Sequence, residues 1–251
     1  MKPIWTVVLL ILLAGNLIGG FLLYKVYRFR DENRLLQKYL EDLTCKNREL
    51  SSDYPGLAVY REENRRLLGT TTLDERKRMC LLYGASITKG FNADSLLPEF
   101  KILNRGVGSQ SSTQLLARFA SDVLELQPGR VAIKICAGNF KPDADSRTIW
   151  DEFETMALAA QARGIEPIVA TILPVTRRGE EFSGYSVNEE TRKFNTRARE
   201  FAATNGFKVL DFYAAVVDSD GYLPDGLARD TIHPNSAGYA KMAEAFRAAM
   251  K

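Results

Sequence analysis

The sequence predicts an α/β fold: a five-stranded parallel sheet in a three-layer α/β/α arrangement, preceded by an apolar segment and a helical stalk. Three observations carry that expectation. Short runs rich in Val, Ile and Leu recur at 80–83, 101–103, 131–136, 166–172 and 207–211. The segments between them place apolar residues at helical spacing. Side chains capable of chemistry stand just after the runs, where a parallel sheet gathers its strand ends and binds ligands.

Composition narrows the class. A chain of 251 residues has room for one good-sized domain and an appendage. Apolar content of 45% and charged content of 26% exclude a disordered chain. A net charge of +3 is too weak to imply a nucleic-acid partner. Cys45, Cys80 and Cys136 are odd in number and lack metal-ligand spacing. The last two lie in apolar runs and read as buried free thiols.

Taken in order, the chain opens on a run from Ile4 to Tyr24 that is apolar except for Thr6, Asn16 and a few glycines. At about 1.5 Å per residue it spans roughly 30 Å, the thickness of a hydrocarbon core. Trp5, Tyr24 and Tyr27 stand where an aromatic belt would lie. A cleaved signal peptide fits less well, because the run is too long and no small-x-small site closes it. Residues 1–25 are therefore read as a single-pass membrane anchor, with the membrane as a partner through residues 4–24. Lys25, Arg28, Arg30, Arg34 and Lys38 favour a cytoplasmic carboxyl side. A short amino-terminal tail followed by an exported domain is the open alternative.

Residues 26–75 read as a helical juxtamembrane linker. Leu36, Leu40, Leu43, Asn47 and Leu50 follow a 4-3-4-3 spacing, as in a coiled-coil seam with a polar register residue. A homodimer through residues 36–50 is one reading, and a helix lying on its own domain or a solvated stalk is the other. A short helix from Tyr60 to Leu68 leads into the globular domain, read as 76–251.

Within that domain the first strand ends in Gly84-Ala85-Ser86, which delivers a hydroxyl to the sheet edge. Leu115, Leu116, Phe119, Val123 and Leu126 mark a helix ended by Pro128-Gly129. Ile149, Phe153, Met156, Ala157 and Ala160 mark the next. Phe194, Ala198, Phe201 and Ala202 mark another, with Asn205-Gly206 as its stop. Tyr239, Met242, Ala243, Phe246 and Met250 mark the last. Strands alternating with helices of this length form right-handed βαβ units.

Four turns at the shared edge carry functional side chains. After the first strand stands Ser86, and after the second Asn104-Arg105-Gly106-Val107-Gly108-Ser109, whose glycines expose backbone N–H groups. After the third comes Ala137-Gly138-Asn139-Phe140, and beyond the fifth Asp230 with His233, the one histidine of the chain. A serine needs a base, the base an orienting acid, and the oxyanion a set of donors. Two decoys fall away. The 106–111 loop lacks the third glycine of a dinucleotide fingerprint, and Thr88-Lys89-Gly90 reverses the order that closes a phosphate loop.

Over roughly residues 78–250 the chain resembles the SGNH hydrolases, also called GDSL esterases and lipases. Gly84-Ala85-Ser86 matches the first block of that family, Gly106 the second, Asn139 the third, and Asp230-x-x-His233 the last. The resemblance implies a flavodoxin-like fold and a carboxylic ester hydrolase with a Ser86-His233-Asp230 triad. It implies an oxyanion hole formed by the Ser86 and Gly106 N–H groups and the Asn139 amide. It implies no metal and no cofactor, and an ester of a lipid, a glycan or a small molecule as substrate. Two departures stand out, because Ala85 and Phe140 occupy positions where the family usually has Asp. They support the alternative of a catalytically weak or inactive binding protein at a membrane, against which the retained Ser86, Asn139, Asp230 and His233 argue.

Overall fold

Strand β1 (Cys80–Gly84) is buried at every position, as a strand covered on both faces must be. It pairs in parallel with β2 (Ile102–Gly106) on one side and β3 (Arg130–Lys134) on the other. Strands β4 (Glu166–Ala170) and β5 (Lys208–Leu210) continue outward from β3, also in parallel. The resulting order, β2-β1-β3-β4-β5, reverses direction between β1 and β3. A crevice forms at such a reversal, outside the carboxyl ends of the strands.

The helices that cover this sheet are α1 (Arg61–Thr70), α2 (Leu73–Lys77), α3 (Ser86–Lys89), α4 (Ala93–Leu96) and α5 (Ser112–Phe119). They continue with α6 (Ser146–Ala162), α7 (Arg177–Ser183), α8 (Val187–Asn205), α9 (Phe212–Val216) and α10 (Ser236–Met250). Because side chains alternate along a strand, β1 feeds two cores. Leu81 and Tyr83 pack with Phe119 of α5, Phe153 of α6 and Phe194 of α8. Cys80 and Leu82 pack on the opposite face with Phe212 of α9 and Phe246 of α10. Cys80 and Cys136 are free and buried.

The helix ends follow from local chemistry. Ser111 and Gln114 form a capping box at the start of α5, satisfying donors that the first turn leaves over. Asp145 and Asn235 cap α6 and α10 through their side chains. Gly206 closes α8 at φ 70°, the left-handed stop expected from Asn205-Gly206.

The structure is a computed structural model that describes residues 53–251 and part of the stretch between 19 and 41, where the described residues are helical. The anchor expected at 4–24 lies almost wholly outside the described residues. Among those described, no helix is long and apolar enough to cross a membrane. The seam expected at 36–50 likewise lies outside them, apart from positions such as Leu40.

The folded unit starts at Asp53, earlier than the boundary expected at 76. The reason is polar rather than apolar packing. Asn64 of α1 is buried and donates to Asp122 Oδ1 at 2.8 Å. It accepts from Arg105 Nε at 2.9 Å, while Arg105 Nη1 reaches Glu63 at 2.9 Å. These contacts explain why β2 runs on through Asn104 and Arg105 to Gly106 instead of ending with the apolar run at 103. The α1 side chains hold Arg105 through Nε and Nη1, and the Asn104 amide donates to Thr88 O and Phe91 O at 2.7 and 3.0 Å.

Candidate active site

Ser86 is the first residue of α3, directly after the β1 turn, and its hydroxyl faces His233 across the crevice. His233 Nε2 lies 2.8 Å from Ser86 Oγ, and His233 Nδ1 lies 2.9 Å from both Asp230 carboxylate oxygens. The loop before α10 makes this possible. Asp230 Oδ1 accepts the N–H groups of Ile232 and His233 at 3.0 and 2.8 Å. An isolated bridge between Ala228 and Pro234 closes the same loop. Burial alone would raise the Asp230 carboxyl, but those two N–H groups and the His233 ring outweigh it and hold it far below its ordinary value. The carboxylate is therefore charged wherever the protein is folded under ordinary conditions.

Asn139 follows β3 and lines the same cavity as Ser86 and His233, which has a volume of about 520 Å³. Its Oδ1 accepts the Ser112 N–H at 2.8 Å, and its Nδ2 donates to Cys136 O at 2.9 Å. A primary amide carries two N–H donors, so one is left over.

Gly106 is not where the sequence reading put it. It is the last residue of β2, it is absent from the cavity wall, and its N–H already donates to Asn104 Oδ1 at 2.9 Å. Its carbonyl accepts the Tyr60 hydroxyl at 2.6 Å. A Cβ at this position would lie 2.1 Å from Lys89 N, so glycine is required there for the close approach of β2 to α3. The misplacement arose because β2 extends beyond its apolar run, which moves the turn three residues on.

Ser109 occupies the place expected of Gly106. It lines the cavity beside Ser86 and adopts φ 60°, a left-handed conformation that costs a non-glycine residue about 1–2 kcal/mol. Its N–H and that of Ser86 have no hydrogen-bond partner among the described residues. The signal available in the sequence was the capping box at Ser111 and Gln114. It fixes the start of α5, so the two residues before it must form the edge loop.

That loop is held from both sides. Arg118 is completely buried and donates to Gln110 Oε1 at 2.5 Å, Asp122 Oδ2 at 2.7 Å, Arg105 O at 2.8 Å and Gly84 O at 3.0 Å. Its guanidinium also stacks 4.3 Å from the Tyr83 ring centre. One side chain thus ties the ends of β1 and β2 to the residue after Ser109. From the amino-terminal side, Gln110 and Gln114 donate to the carbonyls of Pro55 and Tyr54 at 2.7 and 2.6 Å.

The two departures have local accounts. Ala85 is buried and begins α3 without a side-chain cap, and the Ser86–His233 contact is made without an acid there. Phe140 is buried in the core, with its ring 6.0 Å from that of Phe194, so an apolar residue fits the site it occupies. Among the described residues no cluster could hold a metal ion.

The family model described as the GDSL-like Lipase/Acylhydrolase family matches residues 82–241. No curated protein matches the chain. Solved structures do. A proposed acylhydrolase from Bacteroides fragilis is 25% identical, covers 79% of this chain and 97% of its own, and superposes with a TM-score of 0.70. A GDSL-like lipase from Bacteroides thetaiotaomicron is 22% identical over 79% of this chain and 98% of its own, with a TM-score of 0.69. An acetylxylan esterase from Geobacillus stearothermophilus, at 19% identity over 69% of this chain and 94% of its own, shares the fold with a TM-score of 0.57. With its family match spanning both the β1 turn and the start of α10, the chain belongs to the GDSL-like lipase/acylhydrolase family of carboxylic ester hydrolases.

Proposed function

We propose that the protein hydrolyses an ester by acyl transfer from Ser86 to water. The observation that carries this reading is the relay of contacts, Ser86 Oγ to His233 Nε2 at 2.8 Å and His233 Nδ1 to Asp230 at 2.9 Å. With Asp230 charged, the ring proton resides on Nδ1 and the Nε2 lone pair faces the hydroxyl. His233 takes the Ser86 proton as Oγ attacks the carbonyl carbon, and Asp230 stabilises the imidazolium that forms. The same proton then goes to the departing alcohol. A water, deprotonated by His233 in turn, releases the acid and restores the hydroxyl.

The oxyanion is met by the N–H groups of Ser86 and Ser109 and the remaining Asn139 N–H. Each such donor contributes about 2.7–4 kcal/mol in the transition state. An acyl or acetyl ester of a lipid, a glycan or a small molecule fits this chemistry. Attachment to a membrane through residues 4–24 belongs to the same proposal and rests on their apolar run, as self-association through 36–50 rests on its heptad spacing.

A fluorophosphonate probe tests the central step, because only an activated serine reacts with it. The wild-type protein takes up one label, on the peptide bearing Ser86, and Ser86→Ala takes up none. Equal labelling of both proteins would refute the assignment.

A further inference from the structure

The start of α5 forms one wall of the cavity, through Ser111, Ser112 and Thr113. Ser112 is the first residue of that helix and only 2% exposed. Its N–H donates to Asn139 Oδ1 at 2.8 Å, so Ser112 stands directly beside the Asn139 amide. Its hydroxyl has no hydrogen-bond partner among the described residues. Three unpartnered side-chain atoms there are sealed from water, namely Arg105 Nη2, Glu152 Oε2 and Thr191 Oγ1. Ser112 Oγ is not one of them. The small exposed part of Ser112 therefore includes its hydroxyl, on the cavity side.

The neighbouring donors of the helix start are taken. Gln114 N reaches Ser111 Oγ at 3.3 Å, and Leu115 N reaches Ser111 O at 3.0 Å. The Thr113 N–H is left without a partner among the described residues. One helix turn thus presents a hydroxyl that can donate and accept, next to an N–H that can only donate. Hydrocarbon laid against this turn would take both groups from water and leave them unpaired, which is unfavourable. A helix start favours an anion, but Asp143 and Asp145 in the same cavity lining oppose one. A hydroxyl group is uncharged, accepts from the N–H and donates to Ser112 Oγ.

From this free but almost wholly buried hydroxyl beside Asn139 we infer that Ser112 is a specificity-determining residue. Its Oγ takes a free hydroxyl that the substrate carries close to its ester bond, so the substrate is a hydroxylated ester. The inference rests on the reading of this cavity as the ester site. The hydroxyl belongs either to the alcohol half, as in a polyol ester, or to the acyl half, as in a hydroxy-acid ester. Both present the same group to Ser112.

The full chain is assayed with three esters of similar size. Propyl acetate has no free hydroxyl, 1-acetylglycerol has its hydroxyls on the alcohol half, and propyl glycolate has one on the acyl half. Each kcat/KM is taken relative to that of propyl acetate, and comparison between variants then cancels the intrinsic reactivity of each ester. Ser112→Ala keeps the N–H that holds Asn139 and removes only the hydroxyl. It should lower the relative kcat/KM of one hydroxylated ester about fivefold, as for one lost neutral hydrogen bond. The ester affected identifies the half that carries the hydroxyl. Ser112→Thr keeps a hydroxyl and should restore part of the preference. Relative values that Ser112→Ala leaves unchanged for both hydroxylated esters would overturn the inference and spare the hydrolase reading. Binding without turnover is read in parallel by NMR titration of Ser86→Ala with the same esters. Tighter binding of a hydroxylated ester that is lost on adding Ser112→Ala, with no cleavage of any ester by wild type, would uphold the site and sink the hydrolase reading.

Discussion

Asn139 Oδ1 accepts the Ser112 N–H at 2.8 Å, and that contact fixes which end of the amide can face an oxyanion. The oxygen is held by the start of α5, so the nitrogen side is left for the cavity. Asn139→Ala should lower kcat by about 10²–10³-fold with a smaller change in KM. Asn139→Asp should lose at least as much, because a carboxylate keeps the Ser112 contact but offers no donor and adds like charge. Steady-state kinetics on a short-chain ester distinguishes the two. An Asn139→Asp protein as active as wild type would remove the amide from the oxyanion site.

Ser109 supplies a backbone donor in this account, and its side chain supplies nothing. Ser109→Gly should therefore keep kcat within a few-fold of wild type. Stability should also change little. Relief of the left-handed strain, about 1–2 kcal/mol, is about half offset by the greater chain entropy of glycine, about 0.5–1 kcal/mol, so Tm should hold or rise slightly. A loss of 10²-fold or more in a well-folded Ser109→Gly protein would show that the hydroxyl, not the N–H, is the working group. The contrasting variant is Gly106→Ala, whose added methyl collides with the Lys89 backbone and should lower Tm sharply.

Residues 53–60 hold the loop between β2 and α5 from outside. A protein lacking residues 1–52 should keep the activity of the full chain on a small soluble ester, since the folded unit begins at Asp53. Removing residues 1–60 deletes Tyr54, Pro55 and Tyr60, the partners of Gln114, Gln110 and Gly106. Each buried donor left unpaired costs about 1–3 kcal/mol. The shorter protein should lose kcat tenfold or more, in proportion to disorder of the loop. Equal turnover by both truncations would show that the strap is dispensable.

Lys134 is the unexpected charge in the second core. It is 4% exposed and borders a small void with Leu82, Thr88, Phe91 and Met242. Its ammonium reaches Ile135 O at 3.5 Å, the outer limit of a hydrogen bond. Burial holds its pKa below the ordinary lysine value. The unfolded chain therefore binds the proton more readily than the folded one, so stability is lost as pH falls and recovered as pH rises toward the unfolded lysine value. Lys134→Met removes that penalty and should raise Tm at pH 7, with the advantage shrinking by pH 10. A Tm difference independent of pH would place the ammonium charged and satisfied in the folded protein.

Much of this is legible in the sequence. The five strands, the helix stop at Gly206 and the positions of Ser86, Asn139, Asp230 and His233 followed from apolar runs, a left-handed cap and the sheet edge. Two features were hidden for the same reason. Asn104 and Arg105 are polar and read as a turn, yet both lie in β2 because α1 and α3 supply their partners. Once β2 was cut short, Gly106 seemed to head the loop, and α1 seemed to lie outside the domain. Tertiary hydrogen bonds of this kind leave no periodicity in the sequence. The unpartnered carboxylate of Glu152 was hidden too, since a glutamate on a helix looks solvated until its neighbours are known.

The most direct measurement compares turnover of a short-chain ester by wild type, Ser86→Ala, His233→Ala and the double variant. Members of a catalytic unit are strongly non-additive. Each single variant should fall to the same low residual rate, the double variant should fall no further, and all four should share the wild-type fold by circular dichroism. Near wild-type turnover in either single variant, or losses that multiply in the double, would contradict the relay from Asp230 through His233 to Ser86.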